Sequence, residues 1–470
     1  MKRILTLLPL ILFAASWPQP NWAEGTSMGT PLALVRAEAA DALRLSLRQA
    51  VEMALSPHGN LQVEAARAEL DGALARTDRS RSALLPHLRA ALDQSRLTRN
   101  LQALGLRDEG GTFRPPDLVG PFSTFDARLR VEQTVFDWSA IKSLQAAKAS
   151  LQGTRQDLER VRDLVAAEVS RLYLDALRAR ADVEAAQADV DLARSLLDTA
   201  SRRRESGTGI RIEETRAAVQ LSNQQQRLLV AQNRMGRAYL RLQRAIGADI
   251  GMPMELTDSL QSEPSPLMDA EQARQAAAQS RADLKALEEK VRSDRKRVRA
   301  SWARRLPVLE AFADYGASGI YPNDSLATWT AGLHLEVPIF QGGRIGSEEA
   351  EERAALRRRQ ALLEDLRREI ELEVRLAVTG ALLAGQQVEV AEQGLNLAQE
   401  ELERARRRYR SGVTGSLEVT QAQTNLERAR ENLNSALFEY GSAQVDLQAA
   451  TGTILRDLGV AGGEEEPRHE

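Results

Sequence analysis

The feature that most constrains this chain of 470 residues is that it repeats itself. Val183 to Gly247 aligns without a gap with Val388 to Gly452. Each segment carries an arginine-rich stretch, a Ser-Gly pair, a few small residues, an aliphatic residue followed by glutamate, and a closing glycine. Ser206 matches Ser411, Gly207 matches Gly412, Ile212 matches Leu417, Glu213 matches Glu418, and Thr215 matches Thr420. Upstream, LRVEQTVF (Leu129 to Phe136) matches LHLEVPIF (Leu333 to Phe340), and Leu85-Pro86 answers Leu306-Pro307. The chain is a tandem duplication, and whatever one copy folds into, the other repeats. The first copy is longer only through a Gly- and Pro-rich stretch from Gly105 to Pro121, which reads as an enlarged surface loop.

Within each copy one long run lacks proline: Asp137 to Arg203, and Gln341 to Arg407. As a helix, each run of about 67 residues would reach about 100 Å, longer than any compact domain. Val183, Ala186, Val190, Ala193, Leu197 and Ala200 follow a three-four rhythm, repeated by Val388, Ala391, Leu395, Ala398, Leu402 and Ala405. Small alanines alternating with larger aliphatics let neighbouring helices approach closely, in a tunnel-like wall or in an ordinary bundle. Glycines stop each run at Gly207-Thr208-Gly209 and Gly412-Val413-Thr414-Gly415, and a returning helix begins.

Ahead of each long run, the pattern switches to a period of two. Phe125 to Glu132 alternates apolar with charged or polar residues, and Ala327 to Val337 does the same with Trp329, Ala331, Leu333 and Leu335 on one side. Shorter alternations cover Leu88 to Leu92 and Leu309 to Tyr315, giving two strands per copy. Such strands fit either a small sheet packed on helices or part of a membrane barrel. Four strands do not close a barrel, and lipid does not tolerate an open edge, so a barrel would have to be shared between chains. Phe122, Phe125, Tyr315, Tyr321 and Trp329 are the aromatic residues expected at its interfaces.

Met1 to Arg3 form a basic start and Ile4 to Ser16 an apolar stretch too short to span a bilayer, the pattern of an export signal, with cleavage expected after Ala23. No later run is apolar and long enough for a membrane helix. The chain has no cysteine, which removes disulfides, thiolate metal sites and an acylated N-terminal cysteine. The formal net charge of −3, with both signs interspersed, points to neither nucleic acid nor an anionic surface. The expected organisation is a signal peptide over 1–23, a first copy over 24–261, a linker over 262–266, a second copy over 267–456, and a disordered tail over 457–470. Strands are expected at about 84–98, 122–136, 306–318 and 326–340, long helices at 137–203 and 341–410, and return helices at 212–246 and 416–451. Leu43 to Arg81 and Asp269 to Trp302 read as shorter amphipathic helices.

Leu85-Pro86, Leu306-Pro307, VPIFQGGR (Val337 to Arg344) and the turns RRESGTGIRIEE and RRYRSGVTGSLEV together resemble the TolC-like outer-membrane efflux family, over nearly the whole mature chain. The resemblance implies a mainly α fold with a β-barrel portion: a homotrimer with a twelve-stranded barrel in outer-membrane lipid and a periplasmic α-helical tunnel. It implies a passive exit duct of a tripartite efflux pump or type I secretion system, partnered by a periplasmic adaptor and an inner-membrane pump or ABC exporter. It also implies that Glu418 is a gate carboxylate, Glu213 its counterpart in the first copy, and Gly207, Thr208, Gly412 and Val413 the adaptor-docking turns. Gln421 stands where some relatives carry a second carboxylate, and Tyr409 and Arg204 are placed to bond across helices in a closed state. Each of these residues also fits a solvated helix end, where a first-turn glutamate simply complements the helix dipole.

No catalytic constellation, phosphate loop or cofactor motif is present, and His58, His87, His334 and His469 lack metal-ligand spacing, so no enzyme, metal or cofactor is expected. The competing reading is a periplasmic coiled-coil adaptor or scaffold. Two hairpins in tandem, each with its own strand pair, favour the channel, since an adaptor would carry one hairpin flanked by split β-domains.

Overall fold

The structure is a computed structural model that describes residues 43–101, 103, 116–260 and 268–460. The expected signal peptide, the linker at 262–266 and most of the expected long loop lie outside the described residues. Each copy runs through short helices, two strands, a long helix and a return helix. In the first copy these are α1 (Leu47–Leu55), α2 (Leu61–Ser82), β2 (His87–Asn100), β3 (Leu118–Phe136), α3 (Trp138–Glu205) and α4 (Arg211–Ile246). In the second they are α5 (Ala270–Ser280), α6 (Ala282–Ala303), β5 (Val308–Gly319), β6 (Leu326–Glu336), α7 (Arg344–Arg410) and α8 (Ser416–Thr451). Two three-residue strands, β1 (Leu43–Leu45) and β4 (Met254–Leu256), and a short α9 (Ile454–Asp457) complete the set.

The long helices form where no proline interrupts them, and each end has a local cause. Asp137 caps α3 by accepting from Ala140 N at 3.1 Å. Arginines 202–204 crowd its last turn, where the carbonyl dipoles favour positive charge. Gly207 and Gly412 then adopt φ of 76°, which a side chain resists, and the following amides turn back: Thr208 N donates to Arg203 O at 2.9 Å and Val413 N to Arg408 O at 3.0 Å. The second copy's last strand ends at Glu336, short of the expected 340, because Pro338 supplies no ladder donor, and α7 starts only after Gly342-Gly343.

The four long strands form one antiparallel sheet in the order β2-β3-β5-β6, so the inner pair joins the two copies. β3 begins at Leu118, earlier than the expected 122, with Leu118 paired to Asn100. The strands β2 and β6 leave the sheet's outer edges unpaired among the described residues.

The largest core lies at mid-height on α3, where Val165, Ala166, Val169, Tyr173, Ala176 and Leu177 are all buried. They are wrapped by α1, the end of α4, α9 and the parallel pair β1 and β4, which aligns Leu43 with Met254. Arg180 fastens β4 by donating to Leu256 O and Asp258 O, each at 2.6 Å, and Tyr173 Oη lies 2.9 Å from Leu45 O and from Asp258 Oδ2. This small sheet replaces the start of the amphipathic helix expected from Leu43. The first residues of the expected disordered tail are ordered instead: Asp457 closes α9, Thr453 donates to its carboxylate at 2.6 Å, and Val460 packs into the core, while 461–470 lie outside the described residues. A capping acid six residues beyond the last long helix and a hydrophobic anchor nine residues beyond it hold the chain down.

Candidate functional site

Two regions carry the chemistry, the sheet and the far end of the helical hairpins. Register across all four strands sorts the sheet into two faces. Rows Leu88-Val131-Ala313-Ala331, Ala90-Leu129-Tyr315-Trp329 and Leu92-Ala127-Ala317-Ala327 share one face. Rows Arg89-Arg130-Asp314-Thr330 and Ala91-Arg128-Gly316-Thr328 share the other. On the apolar face, Leu92, Tyr315, Trp329 and Leu333 are each more than 60% exposed, a contiguous apolar patch of the kind that marks a protein or membrane contact. Phe125 lies on this face with Tyr315 and Trp329, but Phe122, three residues away, falls on the polar face; an odd spacing in a strand reverses direction. Tyr321 sits in the turn between β5 and β6.

The polar face is tied together by charge. Arg128 donates to both Asp126 oxygens, at 3.0 and 3.2 Å, and reaches Asp314 on β5 and Thr328 on β6. Glu132 accepts from Arg89 at 3.4 Å and pairs with Arg130 at 2.8 Å.

At the other end, α3-α4 and α7-α8 turn side by side. Glu418, in the first turn of α8, pairs with Arg408 at 3.1 Å, and Glu213, in the first turn of α4, lies against Gly415 of the second turn. Gly207, Thr208, Gly412 and Val413 are exposed at the extreme end, with Ile210, Ile212 and Leu417 as apolar neighbours. Tyr409 is buried, and its hydroxyl has no bonding partner among the described residues. Arg204 bonds across helices, from α3 to α4, by pairing with Glu214 at 2.6 Å, and stays within its own hairpin. The crossing residue is Arg203, whose guanidinium stacks on the Tyr409 ring at 4.7 Å and donates to Tyr409 O at 3.3 Å.

Sequence reasoning missed Arg203 because α3 has two seams. The three-four rhythm through Ala193, Leu197 and Ala200 leads to Arg204. A second stripe, Asp189, Leu192, Leu196 and Arg203, faces the second hairpin, with Leu192 and Leu196 packed on its core of Ala398, Leu402, Val419 and Leu426. Spacing of seven from Asp189 through residue 196 to Arg203 is the signal that marks it.

Above the tip, that second stripe becomes polar. Asp189 accepts from Arg430 at 2.7 Å, Asp182 accepts from Asn434 at 2.8 Å, and Glu427 accepts from Gln224 at 2.5 Å and from Arg227. Burial pushes the Asp189 carboxyl up to about 6, against the pull of Arg430. Burial also raises Glu427, against Arg227 and Gln224. None of these groups is arranged to hold a metal ion among the described residues. No helix among them is long and apolar enough to cross a membrane.

An amphipathic sheet with open edges, joined to helices of about 100 Å, is an arrangement that a sequence comparison can place. The family model described as Outer membrane efflux protein matches residues 50–248 and 273–453, one segment in each copy. The chain belongs to the outer membrane efflux protein family. Among curated relatives, the alkaline protease secretion protein AprF of Pseudomonas aeruginosa is 24% identical over 427 residues, covering 88% of this chain and 86% of that protein. Outer membrane protein TolC of Escherichia coli is 25% identical over 140 residues, covering 30% and 28%. Among solved structures, the Campylobacter jejuni CmeC outer membrane channel superposes with a TM-score of 0.74 at 18% identity, covering 89% of this chain and 87% of that one. The Vibrio cholerae outer membrane protein VceC gives 0.73 at 18% identity, covering 86% and 96%. This member of the outer membrane efflux family is an outer-membrane channel protein of an efflux or secretion system, with a periplasmic helical portion, and not an enzyme.

Proposed function

We propose that three copies of this chain close a twelve-stranded barrel in outer-membrane lipid, continued by a periplasmic helical tunnel, and form a passive exit duct. The observation that carries this reading is the four-stranded sheet with one exposed apolar face and two unpaired edges. With four antiparallel strands, β2 and β6 run in opposite directions, so β6 of one copy meets β2 of the next as an antiparallel pair. Every edge is then satisfied, as lipid demands. Twelve strands at a spacing of about 4.8 Å and a tilt of about 40° enclose a cylinder roughly 24 Å across between backbones. β6, at 11 residues the shortest of the four sheet strands, is long enough to cross.

In this reading the hairpin ends form the periplasmic gate. Glu418 and Glu213 face the axis region, and Tyr409 holds the second hairpin against the first. Arg204 steadies the first turn through Glu214. The exposed turns at Gly207-Thr208 and Gly412-Val413 receive the helical hairpins of a periplasmic adaptor, with Ile210, Ile212 and Leu417 as apolar footholds. An inner-membrane pump or ABC exporter supplies the energy. The family match over both copies weighs against the scaffold alternative.

The test is conductance of the detergent-purified protein in a planar bilayer, wild type beside Glu418→Ala. Discrete openings, with cation preference reduced in the variant because Arg408 loses its counter-charge, support the duct and the gate. Openings unchanged in the variant remove Glu418 from the gate. A well-folded trimer without any conductance, even after its tip is loosened by Arg203→Ala, overturns the duct.

A further inference from the structure

Close to the tip, the helices α3, α4, α7 and α8 enclose a cavity of about 20 Å³, lined by Ala193 and Ala200 on α3, Ala217 on α4, Tyr409 on α7 and Gln423 on α8. That is room for one water molecule. Tyr409 is 3% exposed and Gln423 0%. Yet Tyr409 Oη and both polar atoms of the Gln423 amide have no hydrogen-bond partner among the described residues. Buried hydroxyls and amides are nearly always bonded, to protein or to an ordered water, and orphaned atoms on two residues that line one small cavity point to a shared partner.

A second observation comes from the duplication. The gapless offset puts Arg204 and Ala218 of the first copy at the positions of Tyr409 and Gln423. The first hairpin builds a return helix of the same length, 36 residues, without either polar group. The pair is therefore not needed to make a hairpin. It stands where the two hairpins meet, beneath the ring that Arg203 of the first copy grips from its face.

We propose that this cavity is a binding site for a single ordered water that bridges the Tyr409 phenol to the Gln423 amide. The water accepts a hydrogen bond from the phenol O–H and donates one to the Gln423 carbonyl oxygen. Tyr409 is then held at both ends: its ring by a cation from the first copy, its hydroxyl through water by α8. Gln423 is a positioning residue, which fixes Tyr409 without touching solvent. The bridge ties α7 to α8 within the second hairpin, while Arg203 ties that hairpin to the first directly.

The test is first an experimental structure of the wild-type protein at better than about 2 Å. A density peak within about 3 Å of Tyr409 Oη and of the Gln423 amide is expected. A direct Tyr409-Gln423 hydrogen bond with no peak between them overturns the site. The second arm is a stability cycle in detergent. Tyr409→Phe and Gln423→Leu each lower the unfolding midpoint by stranding the other group, and the double variant regains most of the loss because no polar atom is left behind. Losses that simply add overturn the bridge. Both arms read hydration without conductance.

Discussion

At the scale of the residue, the informative groups are those whose charge is held where water is scarce. Asp189 is 6% exposed, and its carboxyl is pushed up to about 6, above its unfolded value near 3.8. A raised acid binds its proton more tightly in the folded state, so folding is favoured below both values and that contribution is lost as pH rises from about 4 to about 6. Asp189→Asn removes the proton exchange at this site. The ratio of its stability to that of wild type should therefore climb across pH 4 to 6 and stay level above. Unfolding midpoints measured through that window check the sign; a fall with rising pH would show that Arg430 outweighs burial. Sequence reading found the tip glutamates but not Asp189, because a lone aspartate on a helix rich in charge carries no local mark. Its meaning comes from Arg430, distant by 241 positions.

At the scale of the element, the seam between the first hairpin, α3 and α4, and α8 is a ladder of inter-copy bonds of unequal worth. At its upper end, Arg171 and Asp446 pair at 2.5 Å with side chains 46% and 50% exposed, a setting in which ion pairs contribute about 0.2–1 kcal/mol. Lower down, the Glu427 side chain is 7% exposed and satisfies Gln224, itself 2% exposed. Glu427→Ala strands a buried amide and should cost about 1–3 kcal/mol, against less than about 1 kcal/mol for Arg171→Ala. Melting midpoints of the two variants side by side settle the order. The long helices were legible because absence of proline and a sustained seam act locally. The second seam was not, since a helix packed on two neighbours blurs the single stripe that periodicity detects. The pairing of Leu43 with Met254 was equally out of reach, as three-residue strands have no period to read.

At the scale of the whole molecule, alternation in β3 and β6 was legible because each face of the sheet meets a different environment along its full length. The alternation did not say what the apolar face meets; in the proposed barrel that face meets lipid. Two adjacent residues at the same depth separate the faces. Ala331 lies in the apolar row with Leu88 and Val131, and Thr330 lies in the polar row with Arg89 and Asp314. Ala331→Arg places a charge against lipid near the mid-plane, at about 2–4 kcal/mol in each chain. Thr330→Arg places it beside Asp314 on the opposite face. The first should sharply reduce assembled protein in the outer-membrane fraction and the second should not. Equal yields would mean that the apolar face does not contact lipid.

The equal arms of the two hairpins have a consequence for how such a chain can change over generations. The outgoing helices span 68 and 67 residues, and the returning helices 36 and 36. They stand on a common sheet, like two legs under one seat. Losing a single heptad from one leg would shorten it by about 10 Å and lift its foot clear of the other. Residues can therefore drift freely while lengths cannot. A change in reach must arrive as four matched edits, one in each long helix, and the span of the duct is inherited as a nearly indivisible trait.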